Sequence, residues 1–89
     1  MTTTYRIQLA RSAVKEYHEL PDHIQARVRK TIDAMASEPR PAGKCVKIAN
    51  AINRWRIRVG DYRIVYDVDD SARVVDIIRI RHRKDVYRG

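Results

Sequence analysis

Apolar and polar residues alternate over Tyr5 to Leu9 (Tyr-Arg-Ile-Gln-Leu), the period of a half-buried strand. The period then lengthens. Ala13, Val14, Tyr17 and Leu20 fall on one helical stripe, with Ser12 positioned to cap its start and Pro21 to stop it. Asp22 followed three residues later by Gln25 reads as a capping-box-like start. Ile24, Val28, Ile32 and Met35 then keep helical spacing to about Ser37, and Pro39 and Pro41 end the helix and open a loop. From Arg54 to Val59 strict alternation returns. Gly60-Asp61, glycine first, is the signal of a two-residue type II′ hairpin, with Tyr62 to Val68 as the return strand. Asp69 to Ala72 is the next turn and Arg73 to about Ile80 a last strand; Lys44 to Ile48 is a candidate short one. These elements predict an α+β fold. An antiparallel sheet carries an N-terminal strand, a two-helix hairpin packed on one face and a C-terminal three-strand meander.

The hairpin turn sets a register. Val59 faces Tyr62, Arg58 faces Arg63, Ile57 faces Ile64, Arg56 faces Val65, Trp55 faces Tyr66 and Arg54 faces Asp67. One face then holds Trp55, Ile57, Val59, Tyr62, Ile64 and Tyr66, and belongs under the helices. The other holds Arg54, Arg56, Arg58, Arg63, Val65 and Asp67. Arg54 against Asp67 is an ordinary satisfied pair. Arg58 against Arg63 is not: like charges directly opposite in a ladder destabilise it. Three arginines converging on the open face of a strand pair point to an anion site. Past the next turn, Val68 is expected to face Arg73 and Arg63 to face Ile78, so that Ile80 and His82 extend the Arg63 face.

Charge supports this reading. The 89 residues carry 19 Lys and Arg against 11 Asp and Glu, a net +8, which predicts a polyanionic or acidic partner. Arginine supplies 14 of the cations and lysine 5, a bias that suits forked recognition of phosphate or carboxylate. The length fits one domain, residues 1–89, burying about 60–70% of its unfolded surface. A lone cysteine, Cys45, forms no internal disulfide and fits a reducing cytoplasm. The longest stretch without formal charge, Ile48 to Asn53, is too short for a membrane span. His18, His23 and His82 are scattered and give no metal-ligand spacing, so neither metal nor cofactor is expected. No phosphate-cradling glycine loop or nucleophile-elbow serine is present.

The segments Trp55-Arg56-Ile57-Arg58-Val59-Gly60-Asp61-Tyr62-Arg63-Ile64-Val65-Tyr66 and His82-Arg83-Lys84-Asp85-Val86-Tyr87-Arg88 resemble the RelE/ParE superfamily of type II toxin–antitoxin toxins. Ala13 to Leu20-Pro21, Pro39 and Gly43-Lys44 add to the resemblance, which covers nearly the whole chain. The RelE branch implies a ribonuclease that enters the ribosomal A site and cuts mRNA, with the RNA's own 2′-hydroxyl as nucleophile. It implies a cognate antitoxin, the ribosome and mRNA as partners. Carried over by motif, the catalytic residues are Arg56, Arg58, Arg63, Arg83 (with Arg81 the alternative for this tail arginine) and Tyr87, with Lys44, Lys47, Arg81 and His82 expected to contact RNA. RelE relatives can hold lysine where Arg56 and Arg58 stand here. Arginine stays protonated and cannot act as a base, so Tyr87 or His82 inherits that role. The ParE branch, which poisons DNA gyrase without ribonuclease residues, is the alternative. A passive basic RNA-binding domain, with steep salt dependence and no turnover, is a third.

Overall fold

The computed structural model describes residues 4–82. In chain order these form β1 (Arg6–Leu9), α1 (Arg11–His18), α2 (Asp22–Ala34), β2 (Cys45–Lys47), β3 (Arg54–Val59), β4 (Tyr62–Asp69) and β5 (Val74–His82). The strands make one sheet in the order β1-β5-β4-β3-β2. The last three are the expected antiparallel meander, and β2 joins its outer edge antiparallel to β3. β1 joins β5 in parallel, with Arg6 against Val74 and Leu9 against Ile77, so the sheet is mixed. The reason is the helical hairpin, which carries the chain back across the sheet before β3 begins.

Both helices lie on one face of the sheet. Ala13, Leu20, Ile24, Val28, Ile32 and Met35 from the helical side meet Ile57, Val59, Ile64, Tyr66, Val68, Val75, Ile77 and Ile80 from the sheet. Val14, expected on the buried stripe of α1, is exposed. Neither helix starts with the expected side-chain cap. Ser12 lies inside α1 and its hydroxyl donates to the Ile78 carbonyl at 3.0 Å. Pro21, not Asp22, precedes the first turn of α2, and Gln25 donates to the Tyr17 carbonyl at 3.0 Å. Both polar groups fasten α1 to its neighbours, a use that local spacing does not reveal. Helix α1 ends at His18, before Pro21 is reached.

The β3–β4 register is the expected one at all six positions, Arg54–Asp67 to Val59–Tyr62. Gly60 has φ of +60°, and Asp61 is not among the positive-φ residues, as a type II′ turn requires. A Cβ at Gly60 would lie 3.3 Å from the mobile end of Arg27, Nη1, so it is the positive φ that asks for glycine.

The β4–β5 register differs from expectation. Val68 faces Val75, Arg63 faces Arg81 and Tyr62 faces His82, with an irregularity beside Val65 and Tyr66. Two causes add. Asp69 pairs with Val74, so the connection runs from Asp70 to Arg73. It closes with Arg73 at φ +58° and the Ala72 N–H donating to Asp69 Oδ1 at 2.9 Å. A bulge then adds a residue to β5. Ile80 consequently turns into the core, 2% exposed. His82 stands edge-on to the Tyr62 ring at 5.3 Å. Neither extends the Arg63 face.

At the end of the sheet away from the Gly60 turn, Tyr5 donates to Asp70 Oδ1 at 2.6 Å and Arg40 Nη2 to the same oxygen at 2.9 Å. The Tyr5 hydroxyl first, and then Arg40, hold the Asp70 carboxyl below its ordinary range. A carboxyl depressed in the fold stabilises fully above its unfolded pKa, and that contribution fades as pH falls through the folded value. Asp70→Asn should therefore lower the melting temperature near pH 7, and the gap to the unmodified protein should be smaller at about pH 3. Melting curves at both pH values check this; a gap that is constant with pH refutes it. Deeper in, Tyr66 is 0% exposed and donates to the Pro39 carbonyl at 2.7 Å. Burial, with Cys45 nearby, pushes its ionisation far above the ordinary phenol range, so it remains a donor.

Candidate functional site

Because both helices occupy one face, the other face of the sheet is open among the described residues, and its side chains follow from register. The rung nearest the Gly60 turn sets Arg58 beside Arg63 and Arg63 beside Arg81. The next sets Arg56 beside Val65 and Val65 beside Arg79. The next acidic position brings a change of sign, with Arg54 beside Asp67 and Asp67 beside Asp76. The open face is thus polarised along the strands. Five arginines from β3, β4 and β5 surround the half-buried Val65 at one end, and carboxylates lie at the other.

The way each guanidinium is held separates two kinds of arginine. Arg54 commits two nitrogens to Asp67, Nε to Oδ1 at 2.7 Å and Nη2 to Oδ2 at 3.1 Å. That pairing holds the Arg54 cation even above its ordinary pKa, and it fills the fork. Arg58 instead donates through Nε to the Gly60 carbonyl at 2.9 Å. Arg81 donates through Nε to Glu16 Oε2 at 3.0 Å. Arg63, between them, has one long contact, Nη1 to the Tyr62 carbonyl at 3.5 Å. Anchoring through Nε orients a guanidinium while leaving its terminal nitrogens as donors for a bound anion. The chemistry that suits this face is recognition of phosphate and stabilisation of charge on phosphoryl oxygens.

The expected site residues divide as follows. Arg56, Arg58 and Arg63 share the open face, joined by Arg81. Lys44 and Arg58 line a cleft of about 790 Å³ together with Lys30, Met35 and Ile57. Lys47 is exposed and pairs with Trp55, on the parity of the helical face. His82 is placed beside Tyr62, away from the arginine face. Arg83 and Tyr87 lie outside the described residues. Two residues of this neighbourhood were not among the expected site residues: Arg79, which the sequence shows only as one of the cations at the end of the last strand, and Glu16. The parity break at Ile77-Ile78-Arg79-Ile80 is a signal that places Arg79 on the open face. Among the described residues, no group of His, Cys, Asp and Glu could hold a metal ion, and no helix is long and apolar enough to cross a membrane.

A mixed five-strand sheet with a helical hairpin on one face and a basic open face on the other defines a RelE-like toxin fold. The model of the ParE toxin family of type II toxin–antitoxin systems matches residues 7–87. The chain belongs to the RelE/ParE superfamily of type II toxin–antitoxin toxins. It is 33% identical to toxin RelG of Mycobacterium tuberculosis over 85 residues, covering 94% of this chain and 97% of RelG. Among solved structures, the archaeal RelE–RelB complex of Pyrococcus horikoshii matches with a TM-score of 0.80 and 28% identity, over 90% of this chain and 96% of the other. The RelB–RelE antitoxin–toxin complex of Methanococcus jannaschii matches with a TM-score of 0.75 and 30% identity, over 91% and 95%.

Proposed function

We propose that this toxin is a ribosome-dependent endoribonuclease that cuts mRNA in the A site and so stops translation. The supporting observation is the rung Arg58–Arg63–Arg81, a row of like charges across three strands that nothing in the fold requires. Attack of a 2′-hydroxyl on the adjacent phosphate forms the new P–O2′ bond and expels the 5′-oxygen. Negative charge grows on the phosphoryl oxygens as this happens, and fixed guanidinium groups stabilise it. Arg58 and Arg63 take that role and Arg56 the neighbouring phosphate. Arg83 serves on the side of the leaving group. Tyr87 accepts the 2′-hydroxyl proton or stacks on a base. Lys44, Lys47 and Arg81 add phosphate contacts. The partners that follow are the ribosome with its mRNA in the cytoplasm, and a cognate antitoxin whose acidic segment covers the basic face. The RelB complexes of its relatives support the antitoxin.

The test is a toeprint on ribosomes stalled with a defined A-site codon. A new mRNA end inside that codon is expected with the unmodified protein and with Arg54→Ala, whose side chain is committed to Asp67. It should be lost with Arg63→Ala. The match to the ParE family model favours a second reading, inhibition of DNA gyrase. Intact mRNA together with blocked supercoiling would establish that reading instead.

A further inference from the structure

Helix α1 does more than cover the core. β1 pairs with β5 only from Val74 to Ile77, and beyond that point the edge of β5 runs along α1. Ser12 donates there to the Ile78 carbonyl. One turn further along the helix, the Glu16 carboxylate gathers three donors. Oε1 accepts from the Ile80 backbone N–H at 2.9 Å. Oε2 accepts from Arg81 Nε at 3.0 Å and from Arg79 Nη1 at 3.4 Å. The Glu16 side chain is 17% exposed, against 40% for Arg81 and 43% for Arg79. The carboxylate is therefore pinned to a fixed point of the backbone, while the arginines reach it from the more open side.

This arrangement answers a problem set by the register. Arg81 faces Arg63, which also faces Arg58. Like charges in one row repel, and long flexible side chains relieve that by splaying apart. A carboxylate at the edge of β5 away from β4 fixes the direction in which Arg81 splays. It binds only Nε, so the terminal nitrogens are not consumed in the way Asp67 consumes those of Arg54. We propose that Glu16 is a positioning residue that fixes the Arg81 guanidinium at the β5 end of the arginine row, so that a phosphate meets three oriented guanidinium groups instead of two. The role rests on the ribonuclease reading given above.

Glu16→Gln is the informative variant. The glutamine carbonyl can still accept from the Ile80 N–H, so the sheet edge stays covered while the charge that holds Arg81 is gone. With ribosomes carrying a defined A-site codon, single-turnover cleavage at saturating protein should slow roughly ten-fold. The half-saturating concentration and the melting temperature should hardly change. In an Arg81→Ala background, Glu16→Gln should have no further effect, because the group it positions is absent. Unmodified protein that cuts, beside Glu16→Gln cutting equally fast or faster, would overturn the positioning role and leave the ribonuclease reading standing. So would a loss that adds in full to that of Arg81→Ala. Unmodified protein that leaves mRNA intact would remove both.

Discussion

Arg63→Ala is expected to slow mRNA cleavage on the ribosome by roughly 10²- to 10³-fold, the usual cost of losing one fixed donor to transition-state charge. Arg63 is the middle member of its row, with Arg58 on one side and Arg81 on the other. Its removal leaves two cations on the strands that flank β4 and a gap where the charge should fall. The fold should not suffer. Among the described residues, the one hydrogen bond of the Arg63 side chain is its 3.5 Å contact with the Tyr62 carbonyl, and two like-charge pairs disappear with it. Melting temperature should be unchanged or slightly raised. Single-turnover cleavage and a melting curve on the same preparation check both halves. Cleavage within ten-fold of the unmodified protein would remove Arg63 from the reaction.

The next residue behaves in the opposite way. Ile64 points to the helical face, is 0% exposed and lies in the central strand of the sheet between Ile57 and Ile80. Ile64→Ala removes apolar volume where little can collapse to refill it, because β3 and β5 hold the backbone on both sides. The expected loss is about 2–5 kcal/mol. That is a large share of the roughly 5–15 kcal/mol that stabilises a typical domain. Urea unfolding monitored through Trp55 would measure it as a lower midpoint with an unchanged slope. Molecules that remain folded should cut mRNA at close to the normal rate. A shift below about 1 kcal/mol would mean that the core repacks freely at this position. Adjacent residues thus separate chemistry from stability, since a strand sends them to opposite faces.

That separation was legible in the sequence because the two-residue turn at Gly60-Asp61 fixes a parity, and six pairs follow from it. The β4–β5 register was not. Its connection uses Arg73 in a left-handed conformation, which no glycine announces, and the bulge moves every later pair. The isoleucines at positions 77, 78 and 80 carried the clue, since strict alternation cannot bury both Ile77 and Ile80. The parallel placement of β1 was also hidden, because its four residues carry no mark of their partner's direction. Arg56, Arg58 and Arg63 came from register alone, whereas Arg81 needed the bulge to reach the same row. Glu16 was invisible for a different reason. On a helix it reads as a solvated charge, and only the packing of α1 along the edge of β5 makes it a ligand for Arg79 and Arg81.

The parallel pairing of β1 with β5 also constrains when the protein can become itself. Arg6 is hydrogen-bonded through its N–H to the Arg73 carbonyl at 2.8 Å, and Tyr5 reaches Asp70. Such contacts between distant parts of the chain are the slow ones to form, since a long loop must close before they give anything back. During synthesis β1 and the helices emerge well before their partner strand. The row of arginines is likewise incomplete until β5 has been made, because Arg81 is near its end. A nascent chain halted in the β4–β5 connection would hold an unpaired first strand and an incomplete anion site. For a protein proposed to attack the ribosome, this topology delays assembly of the arginine row until β5 has left the ribosome that made it.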